Sequence, residues 1–115
     1  MFQNGILLLN NLIKKMKLYK VNLIPAAYND LNEARAWYRK INPELPKRLH
    51  QYVKITMEQI RSLPTAHAIR YNNVRIANVA VFPYAVHFII INSSAVVVIA
   101  IHHTAINPDK WLIRL

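Results

Sequence analysis

The sequence contains no cysteine and a single glycine, Gly5. Without cysteine the chain has no disulfide framework and no thiol or Cys-type metal chemistry. Glycine-rich phosphate loops and nucleotide-binding fingerprints need several glycines at fixed positions, so one glycine excludes them. There is also no HExxH motif and no Ser–His–Asp arrangement of a known hydrolase type. The absence of cysteine is compatible with a reducing cytoplasm, which is where we expect this protein.

Acidic residues are scarce as well. Fifteen Lys and Arg residues stand against five Asp and Glu residues, which gives a net charge of +10 and a pI of about 10.2. A basic balance of this size fits a polyanionic target or an acidic protein partner. The chain is nevertheless 54% apolar, with a mean hydropathy of +0.12. This is more than one domain of 115 residues needs for a core, and it indicates a surface that a partner covers.

No apolar run is long enough to span a membrane, which takes roughly 20 residues. The first run, Ile6–Leu9, is short, and the positive charges of Lys14-Lys15 follow it. A signal peptide has its charge before the apolar run and a small-residue cleavage site after it. We therefore expect residues 1–16 to be an N-terminal extension outside the fold, with the true start near Met16. Residues 17–115 are then a single domain without membrane contact.

Two periodicities organise the first half of the chain. Leu18–Ile24 alternates at period two, which predicts a strand ended by Pro25. From Ala26 the apolar spacing becomes three and four, which predicts a helix that Asn42-Pro43 ends, and a second helix from Glu44 to Leu63. The side chains predicted to face inward are Ala27, Leu31, Ala34, Tyr38 and Ile41 in the first helix, and Leu45, Leu49, Tyr52, Val53, Ile60 and Leu63 in the second.

The second half predicts three consecutive strands, Val74–Val81, Val86–Ile91 and Ala95–Ile101. Phe82-Pro83-Tyr84 separates the first two, because proline has no N–H for a ladder, and Asn92-Ser93-Ser94 is a turn signal. The apolar third strand suits burial on both faces at the centre of the sheet. The predicted fold is α+β with the order β-α-α-β-β-β. A helical hairpin covers one face of a mainly antiparallel four-stranded sheet.

The order of motifs resembles the RelE/ParE superfamily of toxins, to which plasmid stabilisation proteins are similar. The resemblance covers roughly residues 17–114. It rests on Asp30-Leu31-Asn32-Glu33-Ala34, Trp37-Tyr38, Val74-Arg75, Phe82-Pro83-Tyr84, His103-Thr104 and Asn107-Pro108 ahead of Trp111. It implies the same β-α-α-β-β-β fold and a toxin of a type II toxin–antitoxin system that arrests growth.

Basic and aromatic residues interleave on the strands and at the C-terminus: Arg70, Tyr71, Arg75, Tyr84, His87, His103, Lys110, Trp111 and Arg114. Arginine can neutralise a phosphate and histidine can transfer protons near neutral pH. The resemblance to RelE-type members, which cut messenger RNA on the ribosome, implies catalysis without metal or cofactor. It assigns Arg75 as phosphate clamp and His103 as acid, base or orienter, with Lys54 of the second helix as a further candidate. His102 and His103 are strand neighbours that point to opposite faces, so they do not chelate one ion.

Structural interpretations stand beside these assignments. Arg75 can equally be a solvent-facing residue that pairs with an acidic antitoxin, and His103 a hydrogen-bonded residue at a strand end. Trp111 is interpreted as a packing residue and His87 as structural or exposed. Related sequences often have a basic residue before the Asn/Asp-Pro, where this chain has Ile106. That departure weakens the nuclease interpretation and favours a ParE-like gyrase poison or a chain that has lost toxicity.

The partner and the target are distinct expectations. The resemblance implies an acidic, amphipathic antitoxin that carries the DNA-binding half, so no direct operator binding by this chain is expected. The target is either the ribosome with its messenger RNA or DNA gyrase. A different class of function, a non-catalytic basic RNA- or ribosome-binding domain, also fits the charge.

Overall fold

The computed structural model describes Gly5 and residues 18–115. The extension predicted for residues 1–16 therefore lies outside the described residues, apart from Gly5. The elements, in chain order, are β1 (Lys20–Leu23), α1 (Pro25–Ile41), α2 (Leu45–Ser62), β2 (Ile69–Tyr71), β3 (Val74–Asn78), β4 (Tyr84–Asn92) and β5 (Ala95–His103). Short 3₁₀ turns lie between α2 and β2, at Pro64–Ala66, and after β5, at Pro108–Lys110 and Leu112–Arg114. Within this part of the chain no helix combines the length and apolarity that crossing a membrane requires.

The sheet has five strands in the order β1-β5-β4-β3-β2, where four were predicted. β1 runs parallel to β5, and all other pairs are antiparallel. The additional strand is β2, which forms a hairpin with β3 through Asn72 and Asn73. Both asparagines have positive φ, 40° and 65°, as a tight two-residue hairpin turn requires. Three residues are too few to show a period-two pattern, which is why β2 was not predicted.

The helical hairpin covers one face of the sheet, as predicted. Ala27 and Leu31 of α1 and Leu49, Val53 and Ile60 of α2 are buried there. They pack with inward-facing residues of the central strands, Val86, Phe88, Val96, Val98 and Ile101. Two residues predicted to face inward do not, since Ile41 is 63% exposed and Leu63 is 57% exposed. Ile41 is the last residue of α1 and Leu63 follows α2, so both stand where the chain leaves its helix.

β5 is an interior strand, paired with β1 on one side and β4 on the other. Its pairing with β4 shifts at two points, one of them near the turn, between Ile90 and Asn92. At the other, His87 lies opposite Ala100 whereas Phe88 lies opposite Val98. Ile99 is thus an extra residue without a partner in β4, which is a β-bulge. The bulge places the backbone of Ile99 out of the regular ladder.

The loop between β3 and β4 contains a strained residue. The ladder of β3 stops at Asn78, three residues before the predicted end of this strand. Val81 has φ of 72° and is 69% exposed, and the amide of Phe82 donates to the carbonyl of Ala80 across it at 2.8 Å. A positive φ is costly for a β-branched residue. Phe82 is buried and lies edge-on to Tyr38 at 5.1 Å, so burial of its ring stabilises the strained turn.

Replacing Val81 with glycine should stabilise the protein. The substitution relieves backbone strain of order 1–3 kcal/mol. Little burial is lost because the side chain is exposed. After the flexibility cost of glycine, the free energy of unfolding should rise by about 1 kcal/mol. Urea unfolding monitored by circular dichroism measures this change. The control is Ile69→Gly, an exposed strand residue without positive φ, which should destabilise. If Val81→Gly were as destabilising as the control, the positive φ would not be strained.

Candidate functional site

The C-terminal segment closes the sheet where β1 ends. β1 pairs with β5 as far as Leu23 opposite Val98, and the last contact is the Ile24 amide donating to the Val98 carbonyl at 3.1 Å. Beyond this point the Ile101 amide donates to Asp30 Oδ2 at 3.1 Å. Arg114 Nη1 donates to the carbonyl of the bulged Ile99 at 2.9 Å. Side chains of α1 and of the C-terminus therefore satisfy the backbone groups that a longer β1 would have bonded.

Asp30 and Arg114 also bind each other in two places. Arg114 Nη1 donates to Asp30 Oδ2 at 2.7 Å, and Nη2 donates to Oδ1 at 3.1 Å. His102 Nε2 lies 3.3 Å from Oδ2 of the same carboxylate. Burial by itself would raise the pKa of Asp30. The hydrogen bonds from His102, Arg114 and the Ile101 amide outweigh it and leave this pKa below its usual value. Asp30 is 5% exposed, so a fully paired carboxylate lies at the edge of the core.

Trp111 lies on the sheet face opposite the helices and is 1% exposed. Its indole stacks on His102 with a centroid distance of 4.2 Å and an interplanar angle of 8°. Trp111 Nε1 donates to the Tyr71 oxygen at 2.7 Å, and that oxygen lies 2.9 Å from His87 Nδ1. An indole nitrogen only donates, so the Tyr71 oxygen accepts from Trp111. We assign the Tyr71 hydrogen to His87 Nδ1, because the opposite direction would leave that hydroxyl hydrogen without an acceptor among the described residues. His87 Nδ1 is therefore an acceptor, and its hydrogen is on Nε2.

The surroundings of His87 keep its ring neutral. Burial lowers the pKa of His87 to about 4, with a smaller lowering by the neighbouring His102 and an opposing effect of Asp30. Burial also raises the pKa of Tyr71, against the hydrogen bond from Trp111. At neutral pH both groups are uncharged, which the orientation Trp111 to Tyr71 to His87 requires. The interpretation of Trp111 as packing and of His87 as structural agrees with these contacts.

The structure places the predicted Arg75 on the helix-covered side of β3. Its Nη1 donates to the carbonyl of His67 at 2.6 Å. Burial and the nearby Arg75 charge lower the pKa of His67. The guanidinium is half-buried and fastens the loop before β2 to the sheet, so the contacts of Arg75 are structural in this conformation.

His103 and Lys54 lie elsewhere. His103 ends β5 opposite Tyr84 of β4, lies edge-on to that ring, and its Nδ1 accepts from the Ala105 amide at 3.0 Å. Arg75 faces Phe88, four residues further along β4. Four residues along a strand and two strand spacings separate the two backbones by roughly 15 Å. Lys54 is exposed on the outer side of α2. The three predicted catalytic residues therefore share no hydrogen bond or ion pair with one another among the described residues.

The helix-free face carries two neighbouring cavities. The inner one, about 190 Å³, is lined by Arg70, Ile76, Asn78, Ala85, His87, His103, Thr104, Ile106 and Pro108. The outer one, about 430 Å³, is lined by Arg70, Tyr71, Asn72, Ile76, Asn107, Pro108, Asp109 and Leu112. His103 is thus the one predicted site residue that lines the inner cavity, where Arg70 is the accompanying cation.

Sequence reasoning missed Asp30 and Arg70 as site residues. In the sequence analysis Asp30 is named only within the helix motif Asp30-Leu31-Asn32-Glu33-Ala34. Its phase on α1, one residue before the inward-facing Leu31 and four before Ala34, is the signal that could have indicated burial. Arg70 was noted only in the basic and aromatic cluster, because its position depends on the unpredicted β2.

The sheet order, the helical hairpin on one face and the C-terminal segment on the other define a RelE/ParE-like fold. A chain of a solved structure described as "Chromosomal ParDE TA system from P. aeruginosa" is similar to this one, with a TM-score of 0.65 over 75% of this chain and 96% of that chain. The two sequences are 16% identical, so the likeness shows the fold, and at that level the resemblance seen in the sequence is confirmed. No family model matches the sequence, and no curated protein matches it.

Removing Arg114 should destabilise the protein strongly. Arg114→Ala leaves the buried Asp30 carboxylate without its bidentate partner, at an expected cost of about 3 kcal/mol in the free energy of unfolding at pH 7. Lys47→Ala is the control, since the Lys47–Glu44 pair is exposed and 3.8 Å long, and its loss should cost under about 0.5 kcal/mol. Adding Asp30→Asn to Arg114→Ala should recover part of the loss. Equal costs for Arg114→Ala and the control would contradict the role of this pair.

The stability should also fall in mild acid because of His87. The folded state keeps His87 neutral down to a pKa of about 4, whereas the unfolded chain binds the proton near pH 6.5. The unfolded state therefore holds more protons between these values, and roughly 3 kcal/mol is lost as the pH falls from 6.5 to 4. The lowered pKa of Asp30 acts in a separate window. Its contribution is complete above the unfolded-state value of about 3.9 and disappears as the pH falls through the folded-state value.

Urea unfolding at a series of pH values measures this dependence. His87→Gln should reduce the slope of the free energy of unfolding against pH between pH 4 and 6.5, whatever its effect on absolute stability. Gln51→Ala, at an exposed residue of α2 that does not titrate, should keep the slope of the parent protein. An unchanged slope in His87→Gln would show that another group titrates in this window.

Proposed function

We propose that this chain is the toxin of a type II toxin–antitoxin module and that a cognate acidic antitoxin neutralises it. The observation that carries the proposal is the shared fold with the ParDE chain, which extends over 96% of that chain. The net charge of +10 supports an acidic partner. Large apolar side chains remain exposed, among them Trp37 at 60% and Ile69 at 53%, and a partner that covers them would account for the high apolar content.

The toxin acts by binding its target, with DNA gyrase as the candidate target. This part of the proposal is supported by the separation of Arg75 from His103 and by the hydrogen bond that holds the Arg75 guanidinium on the His67 carbonyl. A nuclease needs its phosphate-neutralising and proton-transferring groups around one scissile bond. Ile106, in place of a basic residue, further reduces the phosphate-binding capacity of this face.

Ribosome-dependent cleavage of messenger RNA is a second candidate, favoured by one observation. Arg70 and His103 both line the inner cavity on the helix-free face. The His103 imidazole itself lies against Tyr84, so a rotation of this ring toward Arg70 would bring together the two kinds of group that metal-free RNA cleavage uses. In this alternative Arg70 takes the phosphate-binding role that the resemblance assigned to Arg75.

Induced expression in a bacterial host should arrest growth, and three readouts then separate the candidates. The proposal predicts inhibited supercoiling by gyrase in vitro and unchanged 5′ ends of messenger RNA in a translating extract. It also predicts that Arg75→Ala and His103→Ala, if folded, still inhibit gyrase, because neither side chain performs chemistry. Arg39→Gln, on the exposed side of α1, is the matched charge control.

New ribosome-dependent 5′ ends would contradict binding as the mechanism. If Arg70→Ala and His103→Ala then abolished cleavage and Arg39→Gln did not, the second candidate would replace the first. Absence of growth arrest by the folded protein, together with binding to ribosomal RNA, would contradict the toxin assignment altogether and favour a basic RNA-binding domain.

A further inference from the structure

The two cavities on the helix-free face form one continuous depression, because Arg70, Ile76 and Pro108 line both of them. We call this depression the sheet-face groove. Its inner part, about 190 Å³, has room for one polar side chain. Its outer part, about 430 Å³, runs past the β2–β3 turn to the 3₁₀ turn at Pro108–Lys110.

A buried histidine borders the inner part with a ring N–H that has no protein partner among the described residues. His87 is 5% exposed and lines the inner cavity. Its Nδ1 accepts from Tyr71, which leaves the hydrogen on Nε2. That Nε2 has no hydrogen-bond partner among the described residues. Among the described residues, the fully enclosed side-chain nitrogen or oxygen atom without a partner is Arg35 Nε. His87 Nε2 is therefore not fully enclosed and keeps contact with solvent. An N–H without a protein partner on a residue that lines a cavity can donate to an acceptor atom of a bound molecule.

The charged groups of the groove are unevenly distributed, so a single negative charge is favoured in its inner part. Arg70 is the cation of the lining and Asp109, in the outer part, is the anion. The Asn78 amide and the Thr104 hydroxyl add neutral polar groups. The lining of the inner part thus holds Arg70 and no carboxylate, which suits one bound carboxylate, whereas Asp109 in the outer part disfavours a polyanion. Arginine binds a carboxylate with a charge-assisted hydrogen bond.

The position of the groove beside β2 favours an extended peptide as the carrier of that carboxylate. β2 is the edge strand of the sheet, and it pairs with β3 alone. Its Ile69 and Arg70 are exposed, so the edge is accessible for strand addition. Leu112 and Pro108 of the outer part offer apolar contacts to residues that flank the acidic one.

We propose that the sheet-face groove binds one carboxylate of an extended acidic peptide, with His87 Nε2–H and the Arg70 guanidinium as its donors. The inference rests on the proposed function in one respect, because it makes the antitoxin the natural source of the peptide. The carboxylate site itself is defined by residues of this chain.

The first test uses purified full-length protein and two capped nonapeptides that differ at one central residue, glutamate or glutamine. The ring ¹⁵N signals of the histidines report the site directly. The glutamate peptide should shift His87 Nε2 and leave His50 unchanged, and the glutamine peptide should shift neither. Arg70→Gln should weaken binding of the glutamate peptide by about tenfold, as expected for one charge-assisted hydrogen bond. Arg39→Gln should bind like the parent protein.

Inorganic phosphate and uridine monophosphate are the competing probes. If either shifted His87 Nε2 more than the glutamate peptide does at equal concentration, the groove would be a phosphate site and the proposal would be overturned. Equal binding of both peptides, or no shift at His87, would overturn it as well.

A second measurement separates this inference from the toxin assignment. In one outcome the protein arrests growth, and an antitoxin that rescues growth binds Arg70→Gln and Arg39→Gln with the same affinity. The toxin assignment then stands and the groove proposal fails. Selective binding of the glutamate peptide by a protein that never arrests growth would leave the groove proposal intact and refute the toxin assignment.

Discussion

The structure depends on how the edge of β5 is completed after β1 ends. β1 has four residues and β5 has nine, so β5 extends beyond the end of β1 and some of its backbone groups have no partner in that strand. An unpaired buried amide or carbonyl costs about 1–3 kcal/mol. Asp30 accepts from the Ile101 amide and Arg114 donates to the Ile99 carbonyl, and the two side chains then neutralise each other. One residue of α1 and one at the C-terminus thus act together as the missing part of a strand.

That arrangement holds the C-terminal segment against the helix-free face. Arg114 is three residues beyond Trp111, whose indole covers the sheet and stacks on His102. The Trp111 N–H orients the Tyr71 hydroxyl toward His87. Trp111, Tyr71 and His87 thus form one chain of hydrogen bonds on the helix-free face, and the Asp30–Arg114 pair anchors the segment that carries Trp111.

The separation of the predicted catalytic residues Arg75 and His103 bears on the mechanism of the protein. β4 lies between Arg75 and His103, and their register differs by four residues. Each of the two side chains also has a local backbone partner. The net charge of +10 and the exposed apolar residues are the observations on which the proposed binding of other macromolecules rests. The proposed antitoxin and the proposed target would then compete for surfaces of one small domain.

The sequence by itself determined the helices, the interior strand β5 and the α+β class, because apolar periodicity and proline positions report which face of an element is buried. The resemblance carried by Val74-Arg75, Phe82-Pro83-Tyr84 and His103-Thr104 added the RelE/ParE-like fold. Only the tertiary structure decided the fifth strand and the place of the site residues. β2 is too short to have a period, and whether Arg75, His103 and Arg70 meet depends on strand order and register. The pairing of Asp30 with Arg114 joins residues 84 positions apart, and local sequence carries no signal of that separation.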